Sequence, residues 1–583
     1  QQEKRIYRNR IFISAGIVAF FLLLLIVRYA YLQISHYDEF STASDQNRIR
    51  LQPLAPARGY IYDRNGVILA DNQPVFTAVI SPDEIDNPDN TLALLTPIFQ
   101  LTPEEISEAS KALKKSKNEP VTIKIGLTEQ QVAQFSERKP FFKGVTIQSK
   151  LTRTYPYSDL FAHVIGYVGR ISDNDSKKLD KKLYAGTDLI GKTGIEKYYE
   201  SLLLGKPGYQ SIETNAYGDI IKKLDTKPPI PGNDIYLSLD YGLQKLTSDL
   251  LNGKRGAAVA IDPSTGEILA FVSNPSFDPN PFITGISSRE YKALQQDPDM
   301  PLYNRALQGQ YPPGSSIKPI EGLAGIHYGI MGWDSSIYDP GYFSLPGDSH
   351  KFRDWKKSGH GNVNLHKSVV ESVDTYYYKL SYQLGIDRLH DWMTRFNFGS
   401  KTGIDLPGEK TGVYPSTEWK MKTYKKAWLP GETSSVSIGQ GYFLATPLQI
   451  ANGIAMLAGD GQHLTPHLLK KSTGAEHVTP IEKPDGKIQY NGNPNDWQRM
   501  HLAMEDVVKK GTAHNIYTPT YRIAGKTGTA QVKSIAQGKR YNEAALDSRH
   551  WDHGWFVGFA PVENPQIAIA VIVENGRHGG WVA

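Results

Sequence analysis

The sequence predicts an α+β fold in which helices flank one antiparallel sheet, preceded by a single transmembrane helix and an extended domain. Three observations predict this arrangement: an uncharged apolar run at residues 11–27, a Pro- and Gly-rich boundary at residues 227–234, and long helical patterns between an early hairpin and two late strands. The predicted division is a cytoplasmic tail and anchor over residues 1–35, an extended noncatalytic domain over 36–230 and a larger domain over 231–583.

The N-terminal segment is typical of a membrane anchor. Four cations within residues 4–10 precede the apolar run, and Arg28 and two tyrosines follow it, as expected for a snorkelling charge and an interfacial aromatic belt. Cations before a span keep the N-terminus in the cytoplasm, which places the rest of the chain outside. A cleaved signal peptide is disfavoured because no small-x-small site follows the run. A buried soluble helix is disfavoured because the run has no polar face.

The remaining elements follow in chain order. Two short extended runs surround the turn at residues 63–66, and Thr102 with Glu105 forms the pattern of a capping box. Two apolar strands joined by the turn at residues 263–266 begin the larger domain. Helical stretches are predicted at residues 368–384 and 445–458, and strands at residues 554–562 and 566–575. We therefore expect early and late strands to pair in one antiparallel sheet.

Composition restricts the possible functions. With 583 residues, the chain is too long for one ordinary core. Its net charge of +5 is small for this length and gives no support for nucleic-acid binding. The absence of cysteine excludes disulfides, thiolate metal ligands and a cysteine nucleophile, but it identifies no compartment.

The stretch QYPPGSSIKP at residues 310–319 carries the first candidate for chemistry. Ser315 and Lys318 are three residues apart, a spacing that puts a nucleophile and a base on one face of a helix. Ser316 is two residues from Lys318 and faces elsewhere, so Ser315 is the better nucleophile. The helix should begin near Ser315 because Pro319 is tolerated only in a first turn. Unpaired backbone N–H groups at such a start can stabilise an oxyanion.

Single motifs are weak evidence in this chain. Ser136 and Lys139 repeat the serine-lysine spacing on what we interpret as a solvated helix surface, and K-T-G occurs at Lys192, Lys401, Lys410 and Lys526. The pattern S-x-D begins at Ser81, Ser238, Ser276 and Ser372. What distinguishes one set is its order within the larger domain, namely PPGSSIKP, then ESVDTYYY, then AGKTGTAQV.

With this ordered set the chain resembles the class B penicillin-binding proteins, and is most similar to penicillin-binding protein 2 of the rod-elongation machinery. The resemblance covers nearly the whole chain and includes RGYIYDRNG, GKTGIEKYYE, AIDPSTGEILAFVSNPSFDPNPF, RDWKKSGHG, SIGQGYFLATPLQIANG and GWFVGFAPVENP. Context also separates the repeated motifs, since Lys192 falls in the noncatalytic domain and Lys401 within FGSKTGIDLPGE. Lys526 alone opens an apolar, strand-like stretch. The resemblance implies a penicillin-binding/β-lactamase-like transpeptidase domain on a pedestal resembling a dimerisation domain.

The resemblance also implies roles for the site residues. Ser315 would attack the carbonyl between the two terminal D-alanines of a peptidoglycan stem peptide, Lys318 would be the base, and Ser372 would relay a proton while Asp374 fixes the network. Backbone N–H groups of Ser315 and Thr529 would form the oxyanion hole. The donor carboxylate would be bound along the strand by Lys526, Thr527, Gly528 and Thr529. Asp374 stands where many members have Asn, as is common in the elongation subgroup.

By the same resemblance we expect a D,D-transpeptidase that cross-links stem peptides during elongation and that β-lactams inhibit covalently. It would need no cofactor and would lie in the bacterial inner membrane with its catalytic domain on the periplasmic side. Its implied partners are peptidoglycan stem peptides, the membrane, a RodA-type SEDS glycosyltransferase and other elongation-complex proteins. Because the chain begins without Met and stops at Ala583 after a strand and turn, we expect trimmed termini.

Two other functions remain open at this point. A carboxypeptidase or β-lactamase-like hydrolase uses the same serine and lysine but transfers the acyl group to water, although it requires neither an anchor nor a large first domain. A noncatalytic membrane scaffold or penicillin sensor would have a vestigial serine, against which the complete set of Ser315, Lys318, Ser372 and Lys526 argues.

A second polar cluster is predicted from Asp339, Asp354 and His360. With a fourth ligand these residues could hold zinc. We favour a structural hydrogen-bonding role and predict no metal, because Val373 offers no ligand and the chain has no thiol. We interpret His360, between two glycines, as a loop anchor and the tyrosines at 376–378 as core packing.

Overall fold

The computed structural model describes residues 2–35, 49–116, 120–214, 220–474, 486–532 and 547–583. Helix α1 covers Gln2–Ala30 and one π-helical turn follows over Tyr31–Ser35. The candidate span Arg5–Ile34 has 30 residues, and no residue of its most apolar stretch is buried by the rest of the described protein. Because about 20 apolar residues cross a bilayer, this helix is long and apolar enough for the predicted single-pass anchor.

Short strands and helices follow the anchor. The strands are β1 (Ile49–Leu54), β2 (Ile61–Tyr62), β3 (Ile68–Ile80), β4 (Val121–Leu127), β5 (Val145–Thr154), β6 (Val168–Arg170), β7 (Leu189–Gly191), β8 (Gly208–Thr214) and β9 (Ile220–Lys227). The helices are α2 (Pro88–Phe99), α3 (Pro103–Lys115), α4 (Glu129–Arg138), α5 (Ala162–Ile165), α6 (Asp173–Ser176), α7 (Gly194–Tyr198) and α8 (Glu200–Leu203).

Part of this segment has a small core of its own. Strand β3 pairs antiparallel with β4 and β5, and helices α2, α3 and α4 contribute buried side chains such as Phe99, Leu113 and Phe135. The predicted capping box is present, because the Glu105 N–H donates to Thr102 Oγ1 at 3.2 Å and the Thr102 N–H donates to Glu105 Oε2 at 2.8 Å. The hairpin predicted around residues 63–66 is present as β2 and β3.

The C-terminal segment carries the larger α+β arrangement. Its strands are β10 (Ile235–Leu237), β11 (Gly256–Ile261), β12 (Ile268–Asn274), β13 (Ser336–Asp339), β14 (Tyr342–Phe343), β15 (Phe352–Arg353), β16 (Gly361–Asn364), β17 (Leu469–Ser472), β18 (Ala524–Ala530), β19 (His553–Ala560) and β20 (Ile567–Val573). Its helices are α9 (Tyr241–Leu251), α10 (Pro281–Thr284), α11 (Ser288–Gln296), α12 (Arg305–Gln308), α13 (Lys318–His327), α14 (Leu365–Val370), α15 (Asp374–Leu384), α16 (Ile386–Thr394), α17 (Thr417–Tyr424), α18 (Pro430–Val436), α19 (Pro447–Ala458), α20 (Asn495–Lys510) and α21 (Gly579–Val582).

The predicted antiparallel sheet is confirmed. Five strands lie in the order β12-β11-β20-β19-β18, so the early hairpin pairs with the late strands. Every residue of α19 is buried, as its almost wholly apolar sequence requires, and it packs on this sheet. Strand β18 lies at the sheet edge and carries Lys526 to Thr529. The α+β fold class is therefore confirmed.

The helical stretch predicted at residues 368–384 is interrupted. Helix α14 ends at Val370 and α15 begins at Asp374, with Ser372 between them in the left-handed region at φ 58°. The first N–H groups of α15 are satisfied from outside the helix, because Asp354 accepts from the Asp374 N–H at 2.8 Å and the Thr375 N–H at 3.3 Å. The continuous apolar pattern hides this break, since both helices carry buried apolar side chains.

The two segments are tied together by a shared sheet and by buried polar contacts. Strand β10 pairs in parallel with β2 and antiparallel with β17, so the boundary segment after residue 234 joins strands from both sides. The Tyr199 hydroxyl donates to buried Asp405 at 2.7 Å, and the Leu468 and Leu469 N–H groups donate to the same carboxylate at 2.7 and 2.8 Å. These contacts hold the C-terminal segment against the segment that follows the anchor.

Candidate active site

The two adjacent serines have different environments. A 3₁₀ turn over Gly314–Ile317 leads directly into α13, so the predicted helix start near Ser315 is confirmed. Ser316 is fully buried and its hydroxyl donates to the Pro313 carbonyl at 2.8 Å, whereas Ser315 is partly exposed. Ser315 is therefore the serine that a substrate can reach.

Glycine is required directly before these serines. Gly314 has φ 56°, and a Cβ at this position would lie 2.5 Å from the Thr529 carbonyl oxygen. A Cβ on Gly528 would in turn approach the Pro313 carbonyl oxygen at 3.0 Å and the Ser316 nitrogen at 3.2 Å. Both glycines thus let the serine turn and strand β18 approach with only backbone between them.

Lys318 is completely buried in a polar environment. Its Nζ donates to Asp374 Oδ1 at 2.6 Å and to the Ser372 carbonyl at 2.9 Å, and it lies 3.5 Å from Ser372 Oγ. The Tyr377 ring centroid lies 5.2 Å from the same nitrogen. A buried ammonium needs such partners, and Asp374 supplies the balancing charge.

Lys526 lies on the other side of Ser372. Its Nζ donates to Ser372 Oγ at 2.8 Å and to the Thr527 carbonyl at 2.9 Å. Burial lowers the pKa of Lys526 well below its usual value, and the nearby Lys318 cation lowers it further. The Ser372 hydroxyl therefore lies between two buried lysines, in a position from which a proton can pass to or from either side.

Strand β18 presents alternate side chains to the opening of the site. Lys526 and Gly528 are buried, whereas Thr527 and Thr529 are partly exposed on the other face. Thr527 Oγ1 lies 2.7 Å from Thr512 Oγ1, and the Thr529 carbonyl accepts from Gln440 Nε2 at 3.2 Å. The structure thus brings together Ser315, Lys318, Ser372, Asp374, Lys526, Thr527, Gly528 and Thr529, all the site residues that the sequence predicted.

The repeated motifs lie elsewhere. Lys192 pairs with Asp175 at 2.5 Å in the first segment, and the exposed Ser136 hydroxyl donates to the Val132 carbonyl on helix α4. Lys401 and Lys410 are exposed. Of the four K-T-G triplets, the one at Lys526 contacts Ser372.

Sequence analysis did not assign site roles to two residues that contact this group. Tyr377, which we interpreted as core packing, faces Lys318 with its ring, and Gln440 binds β18. The signal for Tyr377 was available, because it lies three residues after Asp374 on one face of α15. Gln440 lies in an irregular segment, where the spacing of residues in the sequence does not predict which side chains lie close together.

The second polar cluster is also assembled. One ligand atom from each of Asp339, Asp354 and His360 lies within 4.8 Å of the others. Asp339 Oδ2 accepts from the His360 N–H at 2.9 Å and lies 2.8 Å from Nδ1, while Asp354 caps α15. These contacts fit the predicted structural role, and the absence of a bound metal stays a prediction.

The two carboxylates of this cluster have different environments. Burial opposes ionisation of Asp339, but hydrogen bonds from His360 and Gly341 hold the pKa of its carboxyl below the usual value. Burial raises the pKa of Asp354, and the Asp374 carboxylate raises it further. The cluster is therefore electrostatically coupled to Asp374, the partner of Lys318.

Comparisons with known proteins agree with the fold. Residues 256–583 match the penicillin binding protein transpeptidase domain and residues 53–237 match the penicillin-binding protein dimerisation domain. The chain is 61% identical to the peptidoglycan D,D-transpeptidase MrdA of Acinetobacter baumannii, covering 100% of this chain and 87% of that relative. It is 42% identical to MrdA of Escherichia coli K12, covering 98% and 92% of the two chains.

Solved structures give the same result. Pseudomonas aeruginosa PBP2 in complex with WCK 5153 has a TM-score of 0.71 and 42% identity, covering 91% of this chain and 94% of that one. The complex between PBP2 and MreC from Helicobacter pylori contains a chain with a TM-score of 0.79 and 32% identity, covering 91% and 96%. The similarity therefore extends over both segments after the anchor.

Proposed function

Because the chain belongs to the class B penicillin-binding protein family and is similar to PBP2 over its length, we propose that it is a peptidoglycan D,D-transpeptidase with Ser315 as its nucleophile. The observation that carries the residue assignment is the position of the Ser372 hydroxyl, 2.8 Å from Lys526 Nζ and 3.5 Å from Lys318 Nζ. Three motifs that are far apart in sequence meet at this hydroxyl beside the accessible serine.

The proposed reaction has two half-reactions. Ser315 Oγ attacks the carbonyl between the terminal D-alanines of a stem peptide, an ester forms, and the C–N bond to the last D-alanine breaks. The Ser315 proton passes by way of Lys318 and Ser372 to the departing amine. An amine of a neighbouring stem peptide then attacks the ester, returns a proton to Ser315 Oγ and completes the cross-link. A β-lactam forms the same ester, but its leaving amine stays attached.

Transition-state charge is stabilised at the junction of the serine turn and β18. Backbone N–H groups of Ser315 and Thr529 form the oxyanion hole in this proposal, which the close approach of Gly314 to Thr529 favours. Lys526, Thr527 and Thr529 bind the terminal carboxylate of the donor. Burial and the Lys318 cation lower the pKa of Lys526, and the bound donor carboxylate favours its charged form in return.

The anchor and the first segment suggest the protein's place in the cell. We propose a single-pass protein of the bacterial inner membrane, divided at residues 35 and 230, whose transpeptidase domain lies in the periplasm, as the cations before the apolar run of α1 favour. A RodA-type SEDS glycosyltransferase and other elongation-complex proteins are its proposed partners. Two related structures, a complex between PBP2 and MreC from Helicobacter pylori and a peptidoglycan synthase complex, favour such an assembly.

Labelling with fluorescent penicillin tests the nucleophile. Ser315→Ala should abolish covalent labelling, whereas Ser316→Ala should still label, because the Ser316 hydroxyl donates into the turn and is inaccessible. Mass spectrometry of the labelled peptide then locates the adduct. An adduct on Ser316, or full labelling of Ser315→Ala, would refute the assignment.

A product assay separates the transferase from a hydrolase. Stem peptides incubated with the full chain should give cross-linked dimers, whereas a carboxypeptidase would give only trimmed monomers. The anchor and the large first segment favour the transferase, since hydrolysis of a small substrate requires neither.

A further inference from the structure

A basic and aromatic strip lies beside residues 371–373, which connect α14 to α15 and which we call the catalytic loop, and it has no role in the proposed reaction. Within residues 351–357 the four cationic side chains are all exposed, and no carboxylate of the described residues forms an ion pair with them; they are Lys351, Arg353, Lys356 and Lys357. Lys351 Nζ lies 4.1 Å from the centroid of the Tyr342 ring. Among them stands Trp355, which is 60% exposed. We call residues 351–357 the basic strip. A cluster of like charges beside an exposed indole can attract a ligand of opposite charge and give it an apolar surface for packing.

The basic strip is held rigidly against the catalytic loop. The Trp355 indole N–H donates to the Glu371 carbonyl at 3.2 Å, and its ring lies 5.4 Å from the His360 ring. Asp354 is buried and accepts from the Asp374 N–H, and Asp374 in turn pairs with Lys318. Trp355 therefore touches the residue before Ser372, and the strip cannot move far without moving the loop.

The charges around the strip favour an anionic ligand. Among nearby acids, Asp354 already accepts backbone N–H groups, and Glu371 approaches Lys367 at 4.0 Å and His360 at 3.9 Å. The four cations of the strip thus exceed the acidic charge available to them. Carboxylates bind such ammonium and guanidinium groups, while the apolar part of a peptide packs on the exposed indole.

We propose that the basic strip binds the carboxylates of the acceptor stem peptide, an inference that rests on the proposed function. In the proposed reaction β18 binds the carboxylate of the donor peptide. The basic strip is therefore left to bind the acceptor, the stem peptide that supplies the attacking amine. A stem peptide carries several carboxylates along a short backbone, and the strip offers several cations within seven residues. The strip selects and orients the acceptor for its attack on the ester at Ser315.

The test compares two half-reactions in the full chain in detergent. The double variant Lys356→Gln/Lys357→Gln and the variant Trp355→Ala are compared with Lys181→Gln/Lys182→Gln, which removes the same charge from exposed lysines of the first segment. A donor peptide ending in D-alanyl-D-alanine is combined with a synthetic acceptor stem peptide, whose carboxylates are either free or amidated. Penicillin labelling reports the donor half-reaction and cross-linked dimer reports the acceptor half-reaction.

We expect the wild type to prefer the acceptor with free carboxylates by about fivefold in kcat/KM, the magnitude of two exposed charge pairs. Added salt should weaken this preference. The lysine double variant should lose the preference while penicillin labels it at the wild-type rate, and Trp355→Ala should raise the KM for both acceptors. The control variant should behave as the wild type does.

Two results would overturn the inference. In the first, the lysine double variant keeps the preference for free carboxylates. In the second, the lysine double variant loses donor acylation and dimer formation in parallel, which would show that the strip binds the donor stem peptide. A wild type that accepts penicillin on Ser315 but yields only trimmed monomers would instead refute the proposed transferase function, and the acceptor site with it.

Discussion

Ser372 adopts a backbone conformation that costs stability, and this cost can be measured. Its φ of 58° lies in the left-handed region, where a Cβ costs about 1–2 kcal/mol relative to glycine. Glycine, however, loses about 0.4–1 kcal/mol more than alanine in the entropy of the unfolded chain. Both Ser372→Ala and Ser372→Gly remove the same hydroxyl, so their difference isolates the backbone. We expect Ser372→Gly to be more stable than Ser372→Ala by about 0.5–1 kcal/mol.

A matched position should show the opposite order. Ser381 lies within α15, is 1% exposed and donates its hydroxyl to the Tyr378 carbonyl at 3.0 Å. In a helix, glycine is about 1 kcal/mol less stable than alanine. Ser381→Gly should therefore unfold at a lower temperature than Ser381→Ala. The difference in Tm between the glycine and alanine variants should thus be positive at Ser372 and negative at Ser381.

Differential scanning fluorimetry of the detergent-solubilised chain measures the order, with an expected Tm difference of about 1–2 °C at each position. Penicillin labelling of the same samples should fall by about 10²–10⁴ in both Ser372 variants, since each removes the relay hydroxyl between the lysines. The same glycine–alanine order at both positions would refute the assignment of strain to Ser372. Strain kept at a residue that is needed for activity is expected of a functional site.

Three further predictions concern the lysine, the anchor and acid stability. Lys526→Ala should slow penicillin acylation by about 10² or more, whereas Lys401→Ala should change it only a few fold; comparable losses would show that another strand carries the site. A chain starting at residue 49 should be soluble and should still label with penicillin, and an inactive but folded product would argue against a separable anchor. Hydrogen bonds from Arg522 lower the pKa of Glu505 from its usual 4.5 to about 2, so its contribution to stability is present above pH 4.5 and is lost as the pH falls toward 2. Glu505→Gln should therefore give a shallower slope of Tm against pH in that window, and an unchanged slope would contradict the role of the pair.

Sequence reasoning succeeded where chemistry and spacing both constrain the answer. The apolar run, the hairpin at residues 263–266 and the late strands each carry a strong local pattern, and the order of three motifs selected Lys526 from four K-T-G triplets. The break between α14 and α15 could not be predicted, because Asp354 stabilises it from a loop 20 residues before Asp374. Nor could spacing predict that Lys318 and Lys526 would both contact Ser372, since that contact depends on the packing of β18 against the serine turn.

The aspartate at position 374 follows from the charge balance of the buried site. Lys318 and Lys526 are both inaccessible to solvent, and two adjacent ammonium groups repel each other strongly where the dielectric constant is low. Asp374 lies 2.6 Å from Lys318 and compensates the charge on that lysine. The lowered pKa of Lys526 favours its neutral form and so reduces the repulsion between the two lysines. An asparagine could accept the same hydrogen bond but could not supply the charge. Asp374 can therefore balance the charge that Lys318 acquires when it takes the proton of Ser315, and that proton leaves through Ser372 to the departing amine.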